Sequence, residues 1–300
     1  MIPTYNQENF IIEAINSALD QSYKNIEVIV CDDSSSDRTY NIAMSIKNKK
    51  LRVFKNDTNI GRVKNYHKIL YDLSKGDFVI NLDGDDYFID NDYIKKCVAL
   101  IKKHNVDLVF SNQTIKYDHI EKTTNMKLSE IVDGNWLFLN YGIDGLHIPH
   151  MTALYNRQKA LKLEFYQQDI ISTDWESLLR FIINSKLGFI KESSGAWRQV
   201  QYSESKVQDI QKVFKNFELV NRVVKFAKDY FQITEMNNWQ NRINSNLIKD
   251  INIVNISCHF LKIVHFSYKR LSKIEFVKLL LNYRFIGKLI VGKFKYSCAQ

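Results

Sequence analysis

Carboxylates gather at three places in this sequence: Asp32 and Asp33 in CDDSSSD, Asp83, Asp85 and Asp86 in DGDD, and Asp174 and Glu176 in STDWES. Such groups accept hydrogen bonds from N–H and O–H donors and supply hard oxygen atoms. Taken singly, an acidic pair is more often a solvated loop or a helix cap. In STDWES, for instance, Ser172 and Thr173 are placed to cap a helix whose dipole Asp174 and Glu176 would complement. The four cysteines, Cys31, Cys97, Cys258 and Cys298, are far apart and form no CxxC pair. That spacing argues against a zinc site or a disulfide framework and fits reduced thiols in a cytosolic protein.

The elements around the acidic groups say more than the groups themselves. Over the first hundred residues, short β-branched runs alternate with amphipathic stretches, the pattern of βαβ units on a mostly parallel sheet flanked by helices. Residues 9–21 place Phe10, Ile11, Ala14, Ile15, Ala18 and Leu19 on one helical face. Strands are expected at 26–31 (IEVIVC), 51–54 and 77–82 (DFVINL), with helices at 36–47 and 63–73. Two of those strands run directly into Asp32-Asp33 and DGDD. Ligands of open α/β sheets bind beyond the carboxyl ends of the strands, so both clusters should face one crevice. Further on, 106–117 reads as a strand, 172–183 as a helix and 187–190 as a short strand, and the pattern after 205 is almost wholly helical.

The ordered set IPTYN, CDDSSSD, NIGRVKN, DGDD, STDWESLLR and WRQVQYSES resembles family 2 glycosyltransferases of the GT-A fold, over roughly residues 1–205. The resemblance implies an α/β GT-A domain with the donor-binding half in 1–110, the acceptor-binding half in 111–205 and a basic helical region in 206–300. It also implies an inverting, metal-dependent transfer of a sugar from a UDP-linked donor to a glycan or lipid-linked glycan in bacterial surface-polysaccharide synthesis. Pro3, Tyr5 and Asp33 then line the base pocket, where Asp33 can accept from a base N–H and the two rings offer an apolar face. Asp32 supports the turn or the ribose. Asp83 faces the ribose and donor sugar, while Asp85 and Asp86 hold Mn²⁺ or Mg²⁺, which prefer such hard oxygen ligands. Arg62, Lys64 and Asn65 approach the donor phosphates, Arg198 belongs to a closing loop, and Asp174 is the general base.

This sequence departs from the family pattern at three points. Thr173 stands where the family has the Glu of a Glu-Asp pair, which leaves Glu176 as a substitute partner. Val200 replaces a His, so Arg198 with Ser203 or Ser205 would have to serve in its place. Relatives carry several apolar residues of a central strand leading into this first segment, and here only Met1 and Ile2 remain of them; either the natural start lies upstream or the chain is trimmed. His147 and His150, spaced i, i+3 across Pro149, read as acceptor-cleft or packing residues rather than metal ligands.

Composition narrows the classes further. At 45% hydrophobic and 25% charged residues the chain is ordinary globular material. The longest uncharged runs reach about a dozen residues against the ~20 that cross a bilayer. From Lys206 onward 17 Lys and Arg face 6 Asp and Glu, whereas the 25 and 27 of the first 205 residues nearly cancel. The basic end interleaves Phe266, Leu271, Phe276, Leu280, Phe285 and Ile290 with Lys and Arg, as an interfacial helix on an anionic membrane would, and nucleic acid is not expected as a partner. A sugar nucleotidyltransferase would carry a Gly-rich, basic phosphate loop near the first strand, and IPTYNQENF has none. The other alternative is a non-catalytic nucleotide- or glycan-binding relative docked on a membrane assembly.

Overall fold

Three short strands open the sheet: β1 (Ile2–Thr4), β2 (Val28–Asp32) and β3 (Leu51–Lys55), paired in parallel in that order. The computed structural model describes residues 1–117, 120–199, 209–249 and 269. Crossing between the strands, α1 (Ile11–Leu19) buries Ile11, Ala14, Ile15 and Ala18, the i, i+3, i+4, i+7 stripe of a core-facing helix. α2 (Thr39–Ser45) returns the chain to β3, and α3 (Arg62–Lys68) leads through one π-helical turn at 69–73 to β4 (Phe78–Val79).

β1 is short but lies inside the sheet. The Met1 nitrogen donates to Ile80 O at 2.8 Å, Leu82 N to Met1 O at 2.9 Å, and Gly84 N to Pro3 O at 3.2 Å. These evenly spaced bonds are a parallel ladder, so the chain beyond β4 flanks β1 opposite β2. The same ladder carries residues 82–84 alongside the end of β1, which is why the DGDD turn meets IPTYN.

The rest of the domain consists of β5 (Tyr87–Phe88), α4 (Tyr93–His104), β6 (Leu108–Tyr117), β7 (Ile120–Thr123), β8 (Ile131–Asp133), α5 (Gly134–Asn140), β9 (Leu154–Asn156), α6 (Arg157–Lys162), α7 (Thr173–Ile182) and β10 (Lys186–Arg198). The strands run β4-β9-β6-β10-β5, with β10 parallel to β6 and β9 antiparallel to both β4 and β6. Periodicity ends the last strand at 190, but β10 continues to Arg198. Two irregularities, between Ile190 and Ser193 and between Ser193 and Ala196, bend it and pass its polar residues through the ladder. That extension brings Arg198 back to the acidic turn.

Residues 1–169 with 173–200 form one compact unit, and 170–172 with 201–300 a second. In the second unit α8 (Ile210–Lys215) starts on an Asp209 cap, α9 (Glu218–Ala227) buries Leu219, Val220, Val223 and Ala227, and α10 (Ile233–Lys249) buries Met236, Trp239 and Ile243. No helix among the described residues is long and apolar enough to cross a membrane. Val200, Ser203, Ser205 and the basic amphipathic stretch 260–295, apart from residue 269, lie outside the described residues.

Candidate active site

The loop after β1 and the turn after β4 are interlocked. Asp86 N donates to Asp83 O at 2.9 Å, closing the DGDD turn, and Gly84 sits against the β1 loop. A side chain at Gly84 would place its Cβ 2.4 Å from Gln7 Oε1 and 2.7 Å from Thr4 Oγ1. Glycine is therefore required here by close approach rather than by an unusual φ. Thr4 and Gln7 are themselves bonded side chain to side chain at 2.7 Å.

Three carboxylates crowd this turn. Burial, with Asp83 as the next cause, pushes Asp85 up to about 6. Burial also raises Asp86 well above the usual carboxylate range, with Asp85 and Asp83 adding to the effect. Like charges held together in a partly dry turn disfavour ionisation of each other, which is the electrostatic setting that a cation relieves. Among the described residues no three His, Cys, Asp or Glu side chains enclose an ion by themselves. Mg²⁺ or Mn²⁺ bound through one or two carboxylates and a substrate's phosphates needs no such cage, so the donor set of the turn fits the ion.

Arg198 closes the turn from the end of β10. Its N–H donates to Asp86 Oδ1 at 2.9 Å and its Nη1 to Asp85 O at 2.7 Å, while Nη2 pairs with Glu13. The guanidinium lies over the rings of Tyr87 and Phe10, at 4.2 and 5.4 Å from their centroids. In this arrangement Arg198 holds the acidic turn in place, and its contacts run to protein groups on three sides.

At the end of β2 the two aspartates divide. Asp32 is fully buried and accepts from Ser35 N at 2.9 Å, holding the following turn. Asp33 is buried too, and its carboxylate receives Asn56 Nδ2 at 2.8 Å and the N–H groups of Ile60 and Gly61 at 2.9 Å each. Asp33 thus fastens the loop that begins NIGRVKN, with limited acceptor capacity left over. Pro3 is buried in β1 and acts through its carbonyl on Gly84, whereas the Tyr5 ring beside it is 47% exposed. Asn65 is a buried strut, donating to Cys31 O at 2.8 Å, and Lys64 is exposed on α3.

Arg62 lies within electrostatic reach of both Asp83 and Asp174. Desolvation works against the charge of the Arg62 guanidinium, but the Asp174 and Asp83 carboxylates and the Tyr66 hydroxyl outweigh it and hold the group firmly protonated. Asp174, half-buried in the first turn of α7, is also close enough to influence the buried phenols Tyr141 and Tyr166. Glu176, two residues on, points elsewhere. It is fully buried and grips Arg180 through Nε at 2.8 Å and Nη2 at 2.9 Å. Residues 174 and 176 differ by about 200° around a helix, which is why one can face the crevice and the other the core. The cap differs from the sequence reading: among the described residues Thr173 Oγ1 is buried without a hydrogen-bond partner, and Ser172 bonds Asn216 instead. His150 is a packing residue, bonded to the Tyr166 hydroxyl at 2.8 Å, and His147 Nδ1 meets Gly145 O at 2.7 Å.

Motif spacing did not point to Tyr66, Asn81, Gln7 or Glu13, all of which contact the acidic turn or Arg198. Asn81 alone left a signal, as a polar residue inside the apolar strand DFVINL.

A parallel run of strands with an acidic turn at its ends is the layout of the GT-A fold. The Glycosyl transferase family 2 model matches residues 1–170, and the chain belongs to that family. Curated relatives include the Escherichia coli UDP-Glc:alpha-D-GlcNAc-diphosphoundecaprenol beta-1,3-glucosyltransferase WfaP, 34% identical over 120 residues that make up 40% of this chain and 47% of that protein. Another is the Staphylococcus aureus poly(ribitol-phosphate) beta-N-acetylglucosaminyltransferase TarS, 35% identical over 112 residues, 36% of this chain and 19% of that protein. The chain therefore spans about half the length of the first relative and about a fifth of the second. Among solved structures, TarS 1–349 in complex with UDP-GlcNAc matches with a TM-score of 0.59 at 18% identity, over 100% of this chain and 91% of that one. The Pyrobaculum calidifontis mannosyltransferase PcManGT in complex with GDP-Man and Mn²⁺ matches with a TM-score of 0.57 at 13% identity, over 98% and 86%. At those identities the likeness establishes the fold.

Proposed function

We propose that this chain transfers a sugar, with inversion, from a UDP-linked donor to a hydroxyl of a glycan or lipid-linked glycan in the synthesis of a bacterial surface polysaccharide. The observation that carries the reading is the acidic turn 83–86 seated at the strand ends of a family 2 domain, with Arg62 within electrostatic reach of both Asp83 and Asp174. The glucosyltransferase and N-acetylglucosaminyltransferase relatives, and the UDP-GlcNAc bound by TarS, support a UDP-sugar over other donors.

In this reading residues 1–110 hold the donor and 111–205 the acceptor. Tyr5 offers its exposed ring to the base, and Asp33 keeps the loop at 56–61 in place beneath it, with one acceptor position on Oδ2 for a base N–H. Asp83 takes the ribose or sugar hydroxyls. Asp85, with Asp86 behind it, would hold Mn²⁺ or Mg²⁺ against the diphosphate. When bound, the ion supplies positive charge to the departing nucleoside diphosphate. Asp174 removes the proton of the acceptor hydroxyl, the oxygen attacks the anomeric carbon, and the bond to the diphosphate breaks on the opposite face. One displacement needs one base and no covalent nucleophile, which fits a single carboxylate outside the donor set.

Thermal unfolding with UDP, with and without Mn²⁺, tests the donor half of the proposal. A ligand bound only to the folded chain stabilises it by about 2.7 kcal/mol at a hundred times its Kd. Asp85→Asn is expected to abolish the metal-dependent part of the shift. Equal metal-dependent binding by parent and variant would overturn the assignment of the turn.

A further inference from the structure

We propose that Tyr66 is a positioning residue of the donor site, fixing one oxygen of Asp83 so that the other is aimed at the donor. The inference rests on the transferase reading above and adds to it a residue outside every motif.

The Tyr66 hydroxyl donates to Asp83 Oδ1 at 2.7 Å, and Asn81 Nδ2 approaches the same oxygen at 3.2 Å. Among the described residues no donor reaches Oδ2. A carboxylate with one oxygen held by two protein donors has lost its rotational freedom, and its remaining oxygen has a set direction. Charged hydrogen bonds of this kind, in a site shielded from water, are stronger than their neutral counterparts.

The phenol is itself immobilised. Tyr66 is fully buried, its ring 5.2 Å from that of Tyr166 and 5.6 Å from that of His150. Tyr166 is tied in turn to His150 and to the Tyr155 hydroxyl, at 2.8 and 3.0 Å. Burial first, and then the Asp83 charge, raise the phenol well above its ordinary value, so the hydroxyl donates to the carboxylate. On its other side the Arg62 guanidinium lies 5.3 Å from the ring centroid, with Nη1 3.5 Å from the hydroxyl. Arg62 is the cation on which the charges of Asp83 and Asp174 both act. Tyr66 therefore stands between the donor-side carboxylate and the cation facing the base. Simple core packing would account for the ring but not for a hydroxyl directed at Asp83.

The test is a double-mutant cycle on the full chain with Tyr66→Phe, Asp83→Ala and both together, reading donor KM, kcat and Tm, with UDP affinity in Mn²⁺ as an equilibrium check. Removing a hydrogen bond to a charged group should raise donor KM and weaken UDP binding by about tenfold or more while kcat changes little. In the Asp83→Ala background the same substitution should change affinity by less than about twofold, because its partner is already gone. Asn81→Ala removes the second donor to Oδ1 without touching the aromatic cluster. It should raise donor KM a few-fold in the parent and leave it unchanged in the Asp83→Ala background, which keeps the test decisive should Tyr66→Phe fold poorly. A Tyr66→Phe chain with parental donor KM, or a loss that persists undiminished in the Asp83→Ala background, would overturn the positioning role and leave the transferase reading standing. A parent chain that neither binds UDP nor transfers sugar would overturn that reading and this inference with it.

Discussion

Asp174→Asn and Glu176→Gln should fail in opposite ways, although the two carboxylates are two residues apart on one helix. Asp174 is half-buried at the crevice, so its amide should cost the fold little, within the ±0.5 kcal/mol or so of ordinary surface changes. Its loss as a general base should lower kcat by about 10²- to 10⁴-fold, roughly 2.7–5.4 kcal/mol of barrier, while UDP and metal still bind. Glu176 is 0% exposed and its partner Arg180 6%. Both of its oxygens are bonded to Arg180, which also reaches the carbonyls of Leu163 and Glu164. Gln at 176 keeps an acceptor but leaves a guanidinium charge buried without its counter-ion, a change that costs about 3 kcal/mol or more. For a unit of about two hundred residues that is a fall in Tm of roughly 6–12 °C. Transfer kinetics measured well below both melting transitions, beside calorimetric Tm values, separate the two effects. The reasoning fails if Asp174→Asn keeps transfer within about threefold of the parent. It also fails if Glu176→Gln, fully folded, loses a hundredfold in kcat at unchanged Tm.

The acidic turn yields a pH prediction. Asp85 is shifted from 3.8 to about 6, by burial first and then by Asp83. Between those values only the folded chain holds the proton, so in metal-free protein this contribution to stability is complete below about pH 4 and is lost as pH rises through 6. A metal ion needs the carboxylate free, so Mn²⁺-dependent UDP affinity should fall as pH is lowered through 6; titration calorimetry at pH 5, 6 and 7 checks it. Gly84→Ala should lower stability by about 1–3 kcal/mol and raise donor KM, because the new Cβ would lie 2.4 Å from Gln7 Oε1 and 2.9 Å from Thr4 Cβ. A melt and a donor titration of that variant would show the cost, and parental values for both would mean that the β1 loop yields freely.

The βαβ alternation, the parallel sheet and the position of the acidic clusters at strand ends were legible in the sequence because period-2 and period-3.6 patterns are local properties of the chain. DGDD and NIGRVKN lie within the stretch 1–170 that the family model matches, since backbone turns and clustered charge leave contiguous traces, whereas STDWES lies just beyond it. What tertiary structure alone decided is how the individual groups are used. Asp32 and Asp33 are adjacent and alike in sequence, yet one holds its own turn and the other a loop more than twenty residues away. Asp174 and Glu176 share one helix turn, and only the packing of Arg180 into the core sends one to a structural ion pair. Tyr66 reaches Asp83 across 17 residues, and Arg198 reaches the acidic turn across more than a hundred, through a strand bent by two irregularities in its ladder. Pairings of that kind depend on where the sheet brings distant segments together, and no periodicity within a window of ten or twenty residues contains them.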